Sequence, residues 1–281
     1  MKAVERQPRW QHWDFWARWG IPVVTAALMG CSNQPQSPVA PQPAAASNSS
    51  AFPVAADAHK RAQIRLELAA SYFQAGRLDV ALEEVGQALS ANPNYADAYA
   101  LLGLIFMQQQ DWSKADVAMK KALEFHPDDG NQIHNYGWLL CQQKKFDSAQ
   151  QWFDKALQQP RYQERSKTLL AKGICYQQAG QLDAAYQSMF QSYEMDAGNP
   201  VTAYNLAQVL WQKGEPQKAQ FYLRRANTNN NQVSADSLWL GIKIDRALHD
   251  DIGVRLGAEQ LQRRFPQSRQ WLAYERGAFN E

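Results

Sequence analysis

Between residues 62 and 266 the apolar positions follow a helical period, gathered around small residues at a near-constant interval. The small residues are Ala69, Gly103, Gly137, Gly173, Ala207 and Gly241; four of the five gaps between them are equal, and the one from Gly137 to Gly173 is slightly longer. Twelve positions after each comes a second small residue: Ala81, Ala115, Ala149, Ala185, Ala219 and Gly253. Seven further on stand Ala88, Ala122, Ala156, Ser192 and Ala226, with Gln260 breaking the series. Around Gly103, Tyr99, Leu102, Leu104, Ile105 and Phe106 supply an apolar face, and Met119 and Leu123 answer it from a second helix. Small residues let two antiparallel helices approach closely while large ones fill the gaps beside them. Gln74–Arg77, Gln109–Trp112, Gln178–Gln181 and Gln212–Glu215 read as the turns inside each pair, with glycine supplying a positive φ where it occurs. Pro93, Pro127 and Pro160 close the first three pairs, because a proline ring cannot continue the helical ladder. No stretch alternates with period two between hairpin turns, so essentially no sheet is expected.

A helix-turn-helix unit repeated at this interval resembles the tetratricopeptide repeat, whose period is about 34 residues. The resemblance covers residues 62–266 and predicts an all-α superhelix of about six repeats, a binding scaffold, with residues 56–266 as the repeat domain and 267–281 as a capping segment. Most repeat aromatics, including Tyr72, Phe106, Phe153, Tyr176 and Phe221, stand at spacings that pack helix on helix. In this repeat family the face of the first helix opposite the small-residue contacts lines a concave groove. Counted from that register, the groove is expected to include Leu66, Phe73, Leu104, Met107, Asn131, His134, Trp138, Tyr204 and Trp211. His134 is expected at the surface and carries little weight there.

The amino terminus carries Lys2, Arg6, Arg9 and Arg18, an apolar stretch from Ile21 to Met29, and then Gly30-Cys31. A basic region, a short apolar core and a small residue before a cut are the parts of a secretory signal, here residues 1–30. The apolar stretch is far shorter than the ~20 residues of a spanning helix. Leu28-Met29-Gly30-Cys31 resembles a bacterial lipobox, which makes Cys31 the lipidated first residue of the mature chain; the competing readings are a non-cleaved anchor, or a wrongly assigned start with an incidental cysteine. Trp10, Trp13, Trp16 and Trp19 crowd the leader; indole rings favour membrane interfaces, but the tryptophans are expected to be incidental features of a segment that is discarded. Residues 31–55, rich in Pro, Ala, Ser and Asn, are too poor in apolar side chains to fold and are expected to be a disordered tether. Ser32 stands where inner-membrane retention would want aspartate, so the expected address is the periplasmic face of the outer membrane.

The chain has 281 residues, with 29 Lys and Arg against 27 Asp and Glu. The first thirty residues hold four basic and two acidic side chains, so the remainder carries 25 of each sign. That balance leaves no basic footprint for nucleic acid. Cys141 and Cys175 lie on the first helices of neighbouring repeats, at repeat positions that differ by two, and are expected to be two separate buried thiols; a disulfide is the alternative in an oxidising compartment. His12, His59, His126, His134 and His249 show no metal-ligand spacing, and no phosphate-binding loop, nucleophile elbow or CxxC is present. Neither an enzyme nor a cofactor is expected, and no small-molecule substrate. Asp128-Asp129 and Asp250-Asp251 fall in turns, where acidic residues cap helices.

The third repeat contains Asn135-Tyr136-Gly137-Trp138, which resembles the corresponding segment of the PilF/PilW family of type IV pilus biogenesis lipoproteins. The link Gln159-Pro160-Arg161-Tyr162 at the one longer gap, Asn205-Leu206-Ala207, Leu238–Ile242 and Arg263-Arg264-Phe265-Pro266 extend that resemblance over the whole mature chain. It implies a pilotin: a lipid-anchored outer-membrane protein that binds the type IV pilus secretin and promotes its multimerisation. The alternative is a tetratricopeptide adaptor of another envelope machine, for outer-membrane proteins or peptidoglycan.

Overall fold

A computed structural model describes residues 52–228 and 233–279. The leader, Cys31 and most of the expected tether lie outside the described residues. Every regular element among those described is a helix, thirteen in all, and none is long and apolar enough to cross a membrane. The described residues divide into two compact units, one ending at Pro93 and the other beginning at Asn94.

Unit 1 is a single pair, α1 (Phe52–Gln74) and α2 (Leu78–Ala91). Helix α1 starts at Phe52, inside the segment expected to be tether, since Pro53 fits a first helical turn and the alanines after it favour helix. Ala69 and Ala81 are fully buried, and the Arg65 guanidinium donates to Glu84 at 2.9 Å.

Unit 2 holds five pairs: α3 (Ala96–Gln108) with α4 (Trp112–Phe125), α5 (Gly130–Gln142) with α6 (Phe146–Leu157), α7 (Arg165–Gln178) with α8 (Leu182–Met195), α9 (Pro200–Gln212) with α10 (Pro216–Ala226), and α11 (Ala235–Ala247) with α12 (Asp251–Arg264). A short α13 (Arg269–Glu275) follows. The first three of these pairs close as the small residues require. A Cβ built on Gly103 would lie 2.5 Å from Met119 Cγ, one on Gly173 2.5 Å from Met189 Cγ, and one on Gly137 3.1 Å from the Phe153 ring. Met119, Phe153 and Met189 are buried knobs, and the glycines are the notches that receive them.

The turns inside the pairs share one geometry. In each, two amides reach back to first-helix carbonyls, as Gly180 N to Gln177 O (3.0 Å) and Gln181 N to Tyr176 O (2.9 Å). Gly76, Gly180 and Gly214 supply the positive φ, but Gln110, Lys144 and His249 take the same left-handed conformation with side chains attached. That conformation costs roughly 1–2 kcal/mol for a residue with a Cβ, and the two turn hydrogen bonds offset it. Asp129 and Asp250 cap α5 and α12, as the turn positions of the acidic pairs implied.

Two connections depart from the simple repeat. The link from α6 to α7 folds inward through Tyr162, 7% exposed, which packs on Ile133 and Ala156 and covers Gly130. The Tyr162 hydroxyl bonds Thr168 Oγ1 at 2.6 Å, and Thr168 Oγ1 bonds His134 Nδ1 at 2.8 Å. His134 is therefore buried, at 1% exposure, and not the surface histidine expected. Close by, Cys141 and Cys175 form a disulfide, with Cα atoms 5.8 Å apart. The expectation of separate thiols is corrected for a geometric reason: different helix faces were taken to keep the sulfurs apart, but the cysteine face of α5 looks at α7 and that of α7 looks back. At the carboxyl end α13 packs on α11 and α12, where Ala273 joins a cluster with Leu238, Trp239, Ile242 and Leu261. Trp239 and Phe279 stack with centroids 5.3 Å apart.

The notches set an expectation for stability. Gly130→Ala would drive a methyl into the Tyr162 ring and should destabilise unit 2 by about 1–3 kcal/mol. Gly241→Ala meets only Leu223 Cδ2 at 3.4 Å, so improved helix propensity should leave it neutral or up to about 1 kcal/mol more stable. Urea unfolding of both variants, followed by circular dichroism, measures the contrast. The buried imidazole sets a second expectation. Burial, and secondarily the charge of Lys167, hold His134 well below its ordinary value of 6.5. The unfolded chain then takes up a proton that the folded chain refuses. Stability from this site is complete above about pH 6.5 and falls as pH drops, with a slope approaching about 1.4 kcal/mol per unit. His134→Gln should show a flatter loss between pH 7 and 5 than the parent.

Candidate functional site

Helices α3, α5, α7 and α9 of unit 2 assign their faces in the same way, whereas on α11 the residues at the corresponding register, Trp239 and Ile242, are buried beneath α12 and α13. Gly103, Gly137 and Gly173 point at the second helix of their own pair. At about 100° per residue, the side chains three before and four after the small residue turn toward the next first helix. His134 and Cys141 occupy those positions on α5, and they meet Thr168 and Cys175 of α7. The residues six and two before the small position, and one and five after it, share the side left open.

On α5 this open face carries Asn131, Asn135, Trp138 and Gln142; on α7, Lys167, Ala171, Ile174 and Gln178; on α9, Val201, Asn205, Gln208 and Gln212. Asn131, Gln178 and Gln212 are exposed, Trp138, Gln142 and Gln208 half-buried, and the small Ala171 and the Asn205 side chain form the floor. Lys167 is the one charged residue among these twelve, and burial brings its ammonium down to about 8. Side-chain amides tie the surface together. Gln177 Nε2 donates to Gln212 Oε1 at 3.1 Å, linking α7 to α9, and Gln208 Nε2 donates to the Tyr204 hydroxyl at 2.9 Å. Gln142 Nε2 is buried with no acceptor among the described residues.

The expected groove residues divide between this face and the seams. Leu104, Asn131 and Trp138 lie on the open face. Met107 and His134, each 1% exposed, do not line it: they stand four after and three before the small residue, the two positions that pack against the next first helix. Tyr204 and Trp211 take the same two positions on α9 and are half-buried; burial raises the Tyr204 phenol well above its usual range. Leu66 and Phe73 are half-buried at the equivalent register of α1 in unit 1. The amides were the omission, although their signal is in the sequence. Gln74, Gln108, Gln142, Gln178 and Gln212 each stand five after the small residue of a first helix. Phe221 also departs from expectation. It is 51% exposed on α10, with the Arg225 guanidinium 4.4 Å from its ring centroid, rather than packed between helices.

Helix pairs packed in this way are shared with known proteins. The tetratricopeptide-repeat family pattern matches residues 72–135 and 176–239. The chain is 28% identical over 211 residues to the type IV pilus assembly protein PilF of Pseudomonas aeruginosa, an alignment covering 75% of this chain and 83% of that one. It is 30% identical over 135 residues to a Haemophilus influenzae protein of no assigned function, covering 48% of this chain and 75% of the other. Among solved structures it superposes on PilW, described as a widely conserved type IV pilus biogenesis factor, with a TM-score of 0.70 and 28% identity over 76% of this chain and 97% of PilW. The Pseudomonas aeruginosa PilF structure superposes with a TM-score of 0.67 and 26% identity, over 79% and 99% of the two chains. The notch-and-knob repeats, the Asn135–Trp138 segment and these two structures lead to one assignment: the chain belongs to the family of tetratricopeptide-repeat type IV pilus biogenesis factors represented by PilF and PilW.

Proposed function

We propose that this chain is a pilotin, an outer-membrane lipoprotein that binds the type IV pilus secretin and promotes its assembly into multimers. The observation that carries the proposal is similarity to PilF and PilW over three-quarters of the chain, in fold and in sequence together. The order of parts along the sequence supports it. A lipobox-like segment ends at Cys31, a Pro- and Ser-rich stretch follows, and the repeats begin after it. Lipid at Cys31 supplies the address, and the repeats supply the grip. With several acyl chains, each buried methylene adding ~0.8 kcal/mol, such an anchor holds effectively permanently. A scaffold fixed at the membrane concentrates its client there, which favours multimerisation without any chemical step.

Two experiments test the two halves of this reading. Cys31→Ser should move the protein out of the outer-membrane fraction; full co-sedimentation of the variant with outer membrane would rule out lipid as the address. A deletion strain should lose heat-resistant secretin multimers and twitching while still making pilin. Complementation with Trp138→Ala should restore them poorly, its secretin affinity weakened by about 2 kcal/mol as for a central aromatic contact, while circular dichroism shows an intact fold. Normal multimers in the deletion strain would sink the pilotin assignment.

A further inference from the structure

We infer that the open face of α5, α7 and α9 holds an extended, uncharged peptide segment by its backbone, gripped by side-chain amides with the Trp138 indole as a flat support. The identity of the partner rests on the secretin reading above; the chemistry of the segment it presents rests on this surface alone.

Seven of the twelve side chains on this face are Asn or Gln, and one is charged. An amide carries both donors and an acceptor, so it can pair with either the carbonyl or the N–H of a passing peptide. A peptide with Asp or Glu along its length would give up water for a surface with a single cation, and one with Lys or Arg would find no carboxylate on it. Burying charge without a counter-charge is strongly unfavourable, so the surface selects against charged segments. The same neutrality removes long-range steering, leaving short-range hydrogen bonds and ring contacts as the source of affinity.

The amides are also arranged in a row. Gln108, Gln142, Gln178 and Gln212 stand at the same register of α3, α5, α7 and α9, one per repeat, and Arg246 ends the row on α11. Packed helices lie about 8–10 Å apart, and an extended chain advances about 3.3 Å per residue. One glutamine therefore meets the peptide about every third residue, a spacing suited to reading backbone rather than a particular side chain. The row is not fully satisfied by the protein itself. Gln177 and Gln212 pair across α7 and α9, but Gln142 Nε2 is buried with no acceptor among the described residues. Turned outward, the Gln142 amide would bring that donor to a peptide carbonyl lying beside Trp138.

The test uses the full-length protein and two sets of end-capped peptides: tiles of the secretin sequence, and reference peptides built only from Ser, Thr, Asn, Ala, Val and Pro. Binding is titrated at about 0.1 M and about 1 M salt, over which the Debye length falls from about 10 Å to about 3 Å. Uncharged peptides should bind with affinity nearly independent of salt. A Gln142→Leu, Gln178→Leu, Gln212→Leu variant should bind them at least tenfold more weakly, about 1.4 kcal/mol. Methylating alternate backbone nitrogens of a bound peptide should weaken it comparably. Gln178→Glu with Gln212→Glu changes only exposed positions, keeps the fold, and should also weaken binding to uncharged peptides. Preferential binding of charged tiles that collapses at high salt would overturn the proposal, as would unchanged peptide binding by the glutamine variants. Full-length secretin separates the two readings. Secretin that binds parent and glutamine variants equally removes the amide grip and leaves the pilotin reading standing. Glutamine-dependent binding of reference peptides, with no binding of secretin or its tiles, supports the amide grip and removes the secretin as partner.

Discussion

The structure depends on one contact repeated down the chain, a large apolar knob on a second helix seated against a glycine on the first. Met119 against Gly103, Phe153 against Gly137 and Met189 against Gly173 set the separation of the two helices in three successive pairs. Because the glycine backbone is the contact surface, the helices approach until the knob is wholly buried, and the remaining faces of the first helix receive fixed orientations. One face then packs toward the following repeat and another stays open. A side chain with a Cβ at the notch would push the pair apart and change both. The open face is thus a consequence of packing on the far side of the same helix.

Where α5 meets α7 the seam is reinforced in an unusual way for a repeat. The Cys141–Cys175 disulfide, the His134–Thr168–Tyr162 hydrogen-bond chain and the inward link carrying Tyr162 all join the same two repeats. Polar groups in such a position are stabilising only when they pair with one another, because each would otherwise be buried without water. Their cooperation ties the longer connection to the core, so that the added length of the link does not loosen the stack. Trp138 and Gln142, on the open face of α5, therefore stand on a firmly braced helix.

The surface carried by this scaffold differs from what a hydrophobic groove would offer. Half-buried Trp138 and Ile174 lie among amides, and Lys167 is its lone charge on α5, α7 and α9. Exposed apolar side chains such as Ile252, Leu256 and Phe221 sit elsewhere, on the second helices. A neutral, amide-rich face on the first helices and exposed apolar side chains on the second divide the unit chemically. That division accords with a scaffold that takes an extended client segment on its first helices.

The repeat, its period and the helix ends were legible in the sequence because they depend on local steric facts. A glycine or alanine once in every repeat, a proline ring that cannot continue a helix, and an acidic residue beside a turn act within a few residues of themselves. The family was legible in another way, through the resemblance of Asn135–Trp138 and of the link Gln159–Tyr162 to segments of known members. Only the tertiary structure decided which sides of the first helix are buried. Met107 and His134 share a helix with Leu104 and Trp138 respectively, yet about 40–60° of rotation separates a residue that packs on the next repeat from one that faces outward. The distinction between seam and open face depends on where the neighbouring helix lies. The disulfide and the exposed Phe221 were hidden by the same cause: whether two side chains meet across repeats, or none covers a ring, is set by the placement of helices far apart in sequence.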